Sequence, residues 1–215
     1  MTKLEKRLQS HSRPYLSDAD LMVLIEGTAN SRYSKIKRLL AQGKLWHIRR
    51  GLYCLTSEVG YFAKPHPFEL AQYIYGPSYI SLESALHFHG LIPEAVYTIT
   101  SGSNKRAKEF ETPLGVFSYL TLPQENLFTE VELIKKDHYQ FLMAKPWRAI
   151  CDYIFCYKKD WTGLEPLEES LRINKENLPR LSEINIELLN DYYRHSRINK
   201  FLKGIQKELA QEDRK

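Results

Sequence analysis

The sequence predicts an α+β protein in two parts, a small helical N-terminal domain closed by a β-hairpin and a larger mixed domain with a helical tail. Three observations carry this. Helix-period apolar stripes followed by one hairpin fill the first 60 residues, while strands clustered between helices fill residues 65–215. Charge is divided along the same line. Residues 1–64 hold twelve Lys/Arg against five Asp/Glu, a balance of +7, and the remainder holds 19 against 21. Such asymmetry points to an N-terminal module that meets a polyanion and a larger part with a different task.

The elements follow in order. Leu4 and Leu8 mark a short first helix, ended by His11, Ser12 and Pro14. Ser17 with Asp20 three residues on is a capping-box spacing, and Leu21, Leu24 and Ile25 give a second helix its stripe. The turn GTANS offers Asn30 and Ser31 as caps for a third helix, with Tyr33, Ile36, Leu39 and Leu40 on its inner face and Gly43 ending it. Lys44–Ile48 and Leu52–Leu55 read as strands around Arg49-Arg50-Gly51, where glycine can supply a positive φ. Helix, helix, tight turn, helix, hairpin is the order of a winged helix-turn-helix. Two prolines and a glycine in SEVGYFAKPHP, residues 57–67, mark the joint.

Beyond the joint, Phe68, Leu70, Ala71 and Ile74 fit a helix, and Tyr79–Ser81 a brief strand. SLESALHFHG reads as a helix capped by Ser81 and closed by Gly90. VYTITSG, GVFSYLTL, VELI and HYQFLMA are rich in β-branched and aromatic residues and read as strands. A helix over Lys145–Tyr157 carries Pro146 in its first turn, and the tail shows a stripe at Ile198, Phe201, Leu202, Ile205 and Leu209.

The third helix is the informative one for function. With Ile36 at the centre of the buried face, Ser31, Ser34, Arg38 and Gln42 fall opposite, flanked by Lys35 and Lys37. The second helix of such a pair enters the major groove of DNA. Ser31, Ser34, Lys35 and Arg38 are therefore the expected groove residues, and Arg32, Lys37, Arg49 and Arg50 are expected on phosphates or the minor groove. The basic cluster NKRAK reads as a hairpin tip, with Lys105, Arg106 and Lys108 as a second phosphate contact or a solvated turn. Trp46 and Tyr53 are expected to pack beneath the hairpin.

Other chemistries fare worse. His87 and His89, two apart on a helix, point to opposite sides and do not chelate one ion, so no metal or cofactor is expected. EVELIKK faintly suggests a nuclease's carboxylate and lysine, but Glu132 and Lys135 are three residues apart, where a two-residue spacing would put both groups on one strand face. No phosphate loop, nucleophile elbow or HExxH occurs, and an enzyme is not expected. Cys54, Cys151 and Cys156 read as thiols in a reducing compartment. No apolar run nears the ~20 residues of a membrane span, and the N-terminus lacks the apolar stretch of a signal peptide. The expectation is a cytoplasmic protein.

Four segments resemble the AbiEi antitoxin family, transcriptional regulators of type IV toxin–antitoxin systems. IRRGLYCL is similar to the family's wing, and YISLESALHFHGLI to its strand-then-helix signature, in which Ser-Ala-Leu precedes an HGL turn. ETPLGVFSY and MAKPWRAICDYIF are similar to its later hairpin and its Ala-x-Pro-x-x-Ala-x-x-Asp helix. The resemblance implies a winged helix that binds double-stranded operator DNA to repress its own operon. It also implies a C-terminal domain that counteracts a nucleotidyltransferase-like toxin without a stable complex, and no catalytic residues. Two competing classes are a nuclease-like enzyme delivered to nucleic acid by the winged helix, and a ligand-responsive regulator unrelated to a toxin.

Overall fold

The computed structural model describes residues 2–59, 65–123, 125–136 and 138–212, with side chains in the last helix as far as residue 208. The protein is mixed α+β. Its N-terminal elements are α1 (Lys3–Gln9), β1 (Tyr15–Ser17), α2 (Asp18–Leu24), α3 (Ala29–Ala41), β2 (Leu45–Arg49) and β3 (Leu52–Leu55). Strand β1 was not anticipated. It pairs antiparallel with β3 to make a three-stranded sheet ordered β1-β3-β2. The expected joint lies partly outside the described residues: a 3-10 turn at Ser57–Val59 precedes residues 60–64, which are not described.

The larger part runs α4 (Pro67–Ile74), β4 (Ser78–Ile80), α5 (Leu82–Phe88), β5 (Ile99–Ser103), β6 (Lys108–Thr112), β7 (Gly115–Thr121), β8 (Val131–Lys136), β9 (Tyr139–Ala144) and α6 (Pro146–Cys156). Helices α7 (Glu165–Leu171), α8 (Glu183–Tyr193) and α9 (Ser196–Glu212) complete it. The sheet is mixed, ordered β6-β7-β5-β4-β9-β8, with parallel pairs at β5/β7 and β4/β9. Residues 104–107 are therefore not a hairpin tip. They carry the chain from β5 across β7 to β6, the far edge strand. On α9 the buried stripe holds at Ile198, Phe201, Leu202 and Ile205, while the side chain of Leu209 lies outside the described residues. No helix among the described residues is long and apolar enough to cross a membrane. All three cysteines are free, and burial pushes the Cys54 thiol up to about 12, far from a reactive thiolate.

A buried ion pair sits at the centre of the larger part. Arg148 and Asp152, one turn apart on α6, are both fully buried and bonded at 3.0 Å. The remaining donors of Arg148 go to the carbonyl of Thr129 (2.8 Å), that of Leu127 (3.4 Å) and the hydroxyl of Tyr79 (2.5 Å). Its guanidinium lies 3.6 Å from the centre of the Tyr192 ring. Asp152 accepts from Tyr79 (2.7 Å), Ser81 (2.6 Å) and Tyr193. Burial alone disfavours the charge on Arg148; Asp152 and the surrounding tyrosines outweigh it and raise its pKa. Ser81 occupies the N-cap position of α5, as its sequence context suggests, yet makes no cap bond because its hydroxyl is committed to Asp152. Gly102 on β5 lets this centre close, since a Cβ there would stand 2.3 Å from Leu122 and 3.0 Å from the Tyr79 ring.

The small sheet is buried on both faces. Leu16, Leu45 and Leu55 turn toward α1–α3, with Leu8, Leu21, Ile25 and Leu39. Tyr15, Ile48, Leu52 and Cys54 turn the other way and join the core of the larger part. Polar bonds reinforce that second seam. Tyr15 donates to Glu69 at 2.5 Å, Arg13 donates to the Tyr73 hydroxyl, and Arg49 donates to the Tyr73 carbonyl at 3.1 Å. Edge strands β2 and β6 also approach each other, with Cα atoms within 8 Å. On the helical side, Glu5 of α1 binds Lys44 at 2.5 Å and accepts the Thr2 N–H at 2.7 Å.

Removing one member of the buried pair strands the other. Arg148→Met is expected to cost about 3–5 kcal/mol in urea unfolding, and the double change Arg148→Met/Asp152→Leu to recover part of that loss. The hydrogen bonds from Lys44 and Thr2 hold the Glu5 carboxyl at about 2, below the ordinary 4.5. A carboxylate lowered on folding stabilises above its unfolded pKa, so this contribution is complete above pH 4.5 and disappears as pH falls from there toward 2. A Glu5→Gln variant should flatten that part of the acid-unfolding curve.

Candidate nucleic-acid interface

The α2–α3 unit is set by its caps. Ser17 and Asp20 make the expected reciprocal box, the hydroxyl accepting the Asp20 N–H at 3.2 Å and the carboxylate accepting the Ser17 N–H at 2.7 Å. The Ser17 hydroxyl bond is the main cause that holds the Asp20 carboxyl below its usual range. Helix α3 is capped by Thr28, whose hydroxyl accepts the Ser31 N–H at 3.3 Å, and not by Asn30 or Ser31, which already lie inside it. Gly27, at φ +122°, makes the turn. A Cβ there would meet Ser31 at 3.1 Å.

Two of the expected DNA-facing cations hold this turn together. Arg32 donates to the Gly27 carbonyl at 2.5 Å and Lys35 to the Glu26 carbonyl at 2.8 Å. Both satisfy carbonyls just past the end of α2, where a positive charge is also favoured by the helix dipole. Ser31 is half-buried against the same turn. These three residues fix the angle between α2 and α3.

The outward face of α3 is formed by Asn30, Ser34, Lys37, Arg38 and Ala41, all exposed, opposite buried Leu39. Lys37 and Arg38 have no hydrogen-bond or ion-pair partner among the described residues. Tyr33 departs from expectation. It is 69% exposed and borders this face, because the buried stripe is narrow and begins only at Ile36. Asn30 and Tyr33 are thus the side chains that sequence reasoning missed. The signal was present in the spacing of Asn30 to Ser34 and Lys37, which shares a helical face at i, i+4 and i+7.

Both flanks of this face are built. On one side α1 contributes Lys3 and Arg7, which with Lys35 and Arg38 line a cleft of about 210 Å³ between α1 and α3. Arg7 is held by Glu26 at 2.6 Å and donates to the Val23 carbonyl at 3.0 Å. On the other side stands the β2–β3 hairpin, with the His47 and Tyr53 rings 5.4 Å apart. Burial, then Asp18 and Tyr33, push the Tyr53 hydroxyl upward.

The hairpin's two arginines separate. Arg50 is exposed at the turn, and Gly51 beside it takes φ +75° with Asp18 at 3.1 Å from where a Cβ would stand. Arg49 points into the seam with the larger part, donating to Arg50 and Tyr73 carbonyls, and its Nε is buried without a partner among the described residues. A β-bulge between His47 and Arg49 produces this divergence. Tyr53 packs on the α1–α3 core as expected, whereas Trp46 is 37% exposed on the opposite face.

In the β5–β6 connection, Lys105 lies 5.3 Å over the Tyr75 ring and donates to the Gly76 carbonyl, and Lys108 lies 4.8 Å over Phe110. Arg106 is exposed, with its carbonyl accepting from the Tyr75 hydroxyl at 3.1 Å. Outside this region, His89 is tied to the Ala144 carbonyl at 2.8 Å, a structural contact that accounts for one histidine of HFHG. Compared with known proteins, the chain matches no family model and no curated protein.

Proposed function

We propose that this chain is a cytoplasmic DNA-binding transcriptional regulator, with residues 1–60 acting as a winged helix-turn-helix. The observation that supports this reading is the unengaged outer face of α3, where Lys37 and Arg38 stand beside Asn30 and Ser34 between two structured flanks. In this reading Asn30, Ser34 and Arg38 address base edges in the major groove. Asparagine suits adenine and arginine suits guanine, each through paired hydrogen bonds. Lys37 and Arg50 neutralise phosphates, while Arg32 and Lys35 act indirectly by fixing the turn. Arg49 is left out of the contact set because its guanidinium is engaged with Tyr73.

The resemblance to AbiEi regulators extends the proposal to an antitoxin role. The larger part would then counteract a nucleotidyltransferase-like toxin, with autorepression through the operator of its own operon. Two of the four resembling segments meet at the buried centre: Tyr79 and Ser81 come from one, and Arg148 and Asp152 from another. A third supplies Tyr119, which donates to the Ala71 carbonyl at 2.6 Å beneath α4 and so backs the sheet on which that centre rests. The proposal includes no catalytic step.

Binding to DNA upstream of the gene should fall steeply with salt. Lys37→Ala/Arg50→Ala should reduce the log–log slope by about 2. Arg49→Ala should leave the slope unchanged and lower thermal stability instead. A wild-type slope near zero would end the DNA reading. For the antitoxin role, the full chain carrying Lys37→Glu/Arg38→Glu should still rescue growth from the neighbouring toxin while losing repression. Failure of wild-type protein to rescue would remove the antitoxin assignment and leave the DNA reading standing.

A further inference from the structure

The segment VELIKK forms β8, hydrogen-bonded to β9 alone. At the opposite edge β6 approaches β2, while on its outer side β8 pairs with no strand among the described residues. An open edge presents alternate backbone N–H and C=O groups on which a further strand can add. Lysines often guard such an edge by mutual repulsion. Here Lys135 and Lys136 share it with Glu132, and none of the three has a hydrogen-bond or ion-pair partner among the described residues.

The order of these charges is self-complementary. When two copies of one strand pair antiparallel about a two-fold axis normal to the sheet, opposed residues share a face and so differ by an even number in sequence. A centre at Ile134 sets Ile134 against its own copy and Glu132 against Lys136, twice by symmetry. Leu133 falls opposite Lys135, whose aliphatic stem can cover it. A centre at Leu133 sets Glu132 against Ile134, and Lys136 against Glu130, whose carboxylate is already bound by Lys145 and Asn185. Of the two registers, the first pairs the unengaged charges.

Exposed apolar side chains lie on β8 and on α8. Leu133 is 48% exposed, and Ile184 and Leu188 project from the outer side of α8 at i, i+4 spacing, 68% and 41% exposed. Helix α8 is fixed near the start of β8 by Asn185, which donates to Glu130 at 2.9 Å. A two-fold at Ile134 repeats these apolar side chains on both sides of the new seam. We propose that a second copy of this chain docks on β8, extending the two six-stranded sheets into one continuous sheet with paired Glu132–Lys136 contacts. This association does not depend on the DNA reading. Where both hold, the two-fold presents two α3 faces, as an inverted-repeat operator requires.

Sedimentation velocity of the full chain across a concentration series tests it. The wild type should show a monomer–dimer equilibrium. Glu132→Lys and Lys136→Glu each place like charges opposite one another, and each should weaken association about tenfold or more. The double variant Glu132→Lys/Lys136→Glu restores the pairing in reverse and should return association close to wild type. These side chains lie on the surface, and circular dichroism verifies folding. If a reversal disturbs the fold, Glu132→Gln and Lys136→Gln should each weaken the dimer by a smaller factor. A monomer at every concentration, a dimer indifferent to the single changes, or a double variant that fails to recover would each overturn the proposal. Amide hydrogen exchange gives a readout without substitution, since protection of residues 131–136 should rise with protein concentration.

Discussion

The Arg148–Asp152 pair is the constraint around which the larger part is organised. Burying two charges away from water is costly, and the cost is offset only if every donor and acceptor finds a partner in good geometry. Here those partners come from distant segments: Tyr79 and Ser81 at the end of β4, carbonyls 127 and 129 before β8, and Tyr193 closing α8. Moving any one of these elements leaves a buried charge short of a bond. A wholly apolar interior tolerates sliding, whereas this polar centre fixes the register of strand, loop and two helices together. Tyr192 adds its ring face to the guanidinium and covers the side that hydrogen bonds do not reach.

That rigidity is passed to the N-terminal elements through the seam at α4. Glu69 and Tyr73, both on α4, receive Tyr15 and Arg49 from the small sheet and Arg13 from the turn before it. Glu69 also accepts the Gln140 N–H of β9 at 3.2 Å, so one carboxylate links strands of both sheets. The small sheet is thus a middle layer, with α1–α3 on one face and the larger core on the other. An exposed wing would leave its outer side apolar and wet. Here Tyr15, Ile48, Leu52 and Cys54 are covered instead, and the orientation of the α3 face is tied to the larger part. A contact on either part that shifts α4 therefore acts on the other.

Sequence patterns revealed what depends on near neighbours. The capping box at Ser17 and Asp20, the inner residues Ile36, Leu39 and Leu40 of α3, and the stripe of α9 through Ile205 all follow from spacing of a few residues. Strand β1 escaped notice because three residues, Tyr-Leu-Ser, carry no measurable period. Strand β6, Lys-Glu-Phe-Glu-Thr, is polar enough for an exposed edge and reads as loop. Its place beyond β7 is invisible locally, since the segment after β5 is short enough for a hairpin as well as for a crossing. Arg148 was passed over because arginine is rarely buried without a specific partner. Its spacing from Asp152, one helical turn on the same face, was the available clue.

The places where local rules fail share one physical cause. Ser81 sits at an N-cap and does not cap, and Leu82 after it takes a left-handed φ of +51°, unfavourable for a branched side chain. Arg49 sits at a hairpin turn and faces inward with one nitrogen unpaired among the described residues. Arg32 and Lys35 lie on a basic helix and bind carbonyls of the preceding turn. In each case a side chain that local pattern assigns to solvent or to its own helix is claimed by a partner the pattern does not contain. The claims on Ser81 and Arg49 are long-range and hold the two sheets in place; those on Arg32 and Lys35 are short and shape one turn. What remains unclaimed on α3, Lys37 and Arg38 beside Asn30 and Ser34, is for that reason a stronger candidate surface than the full list of basic residues. The helix that carries its charges is held by neighbours that do the structural work.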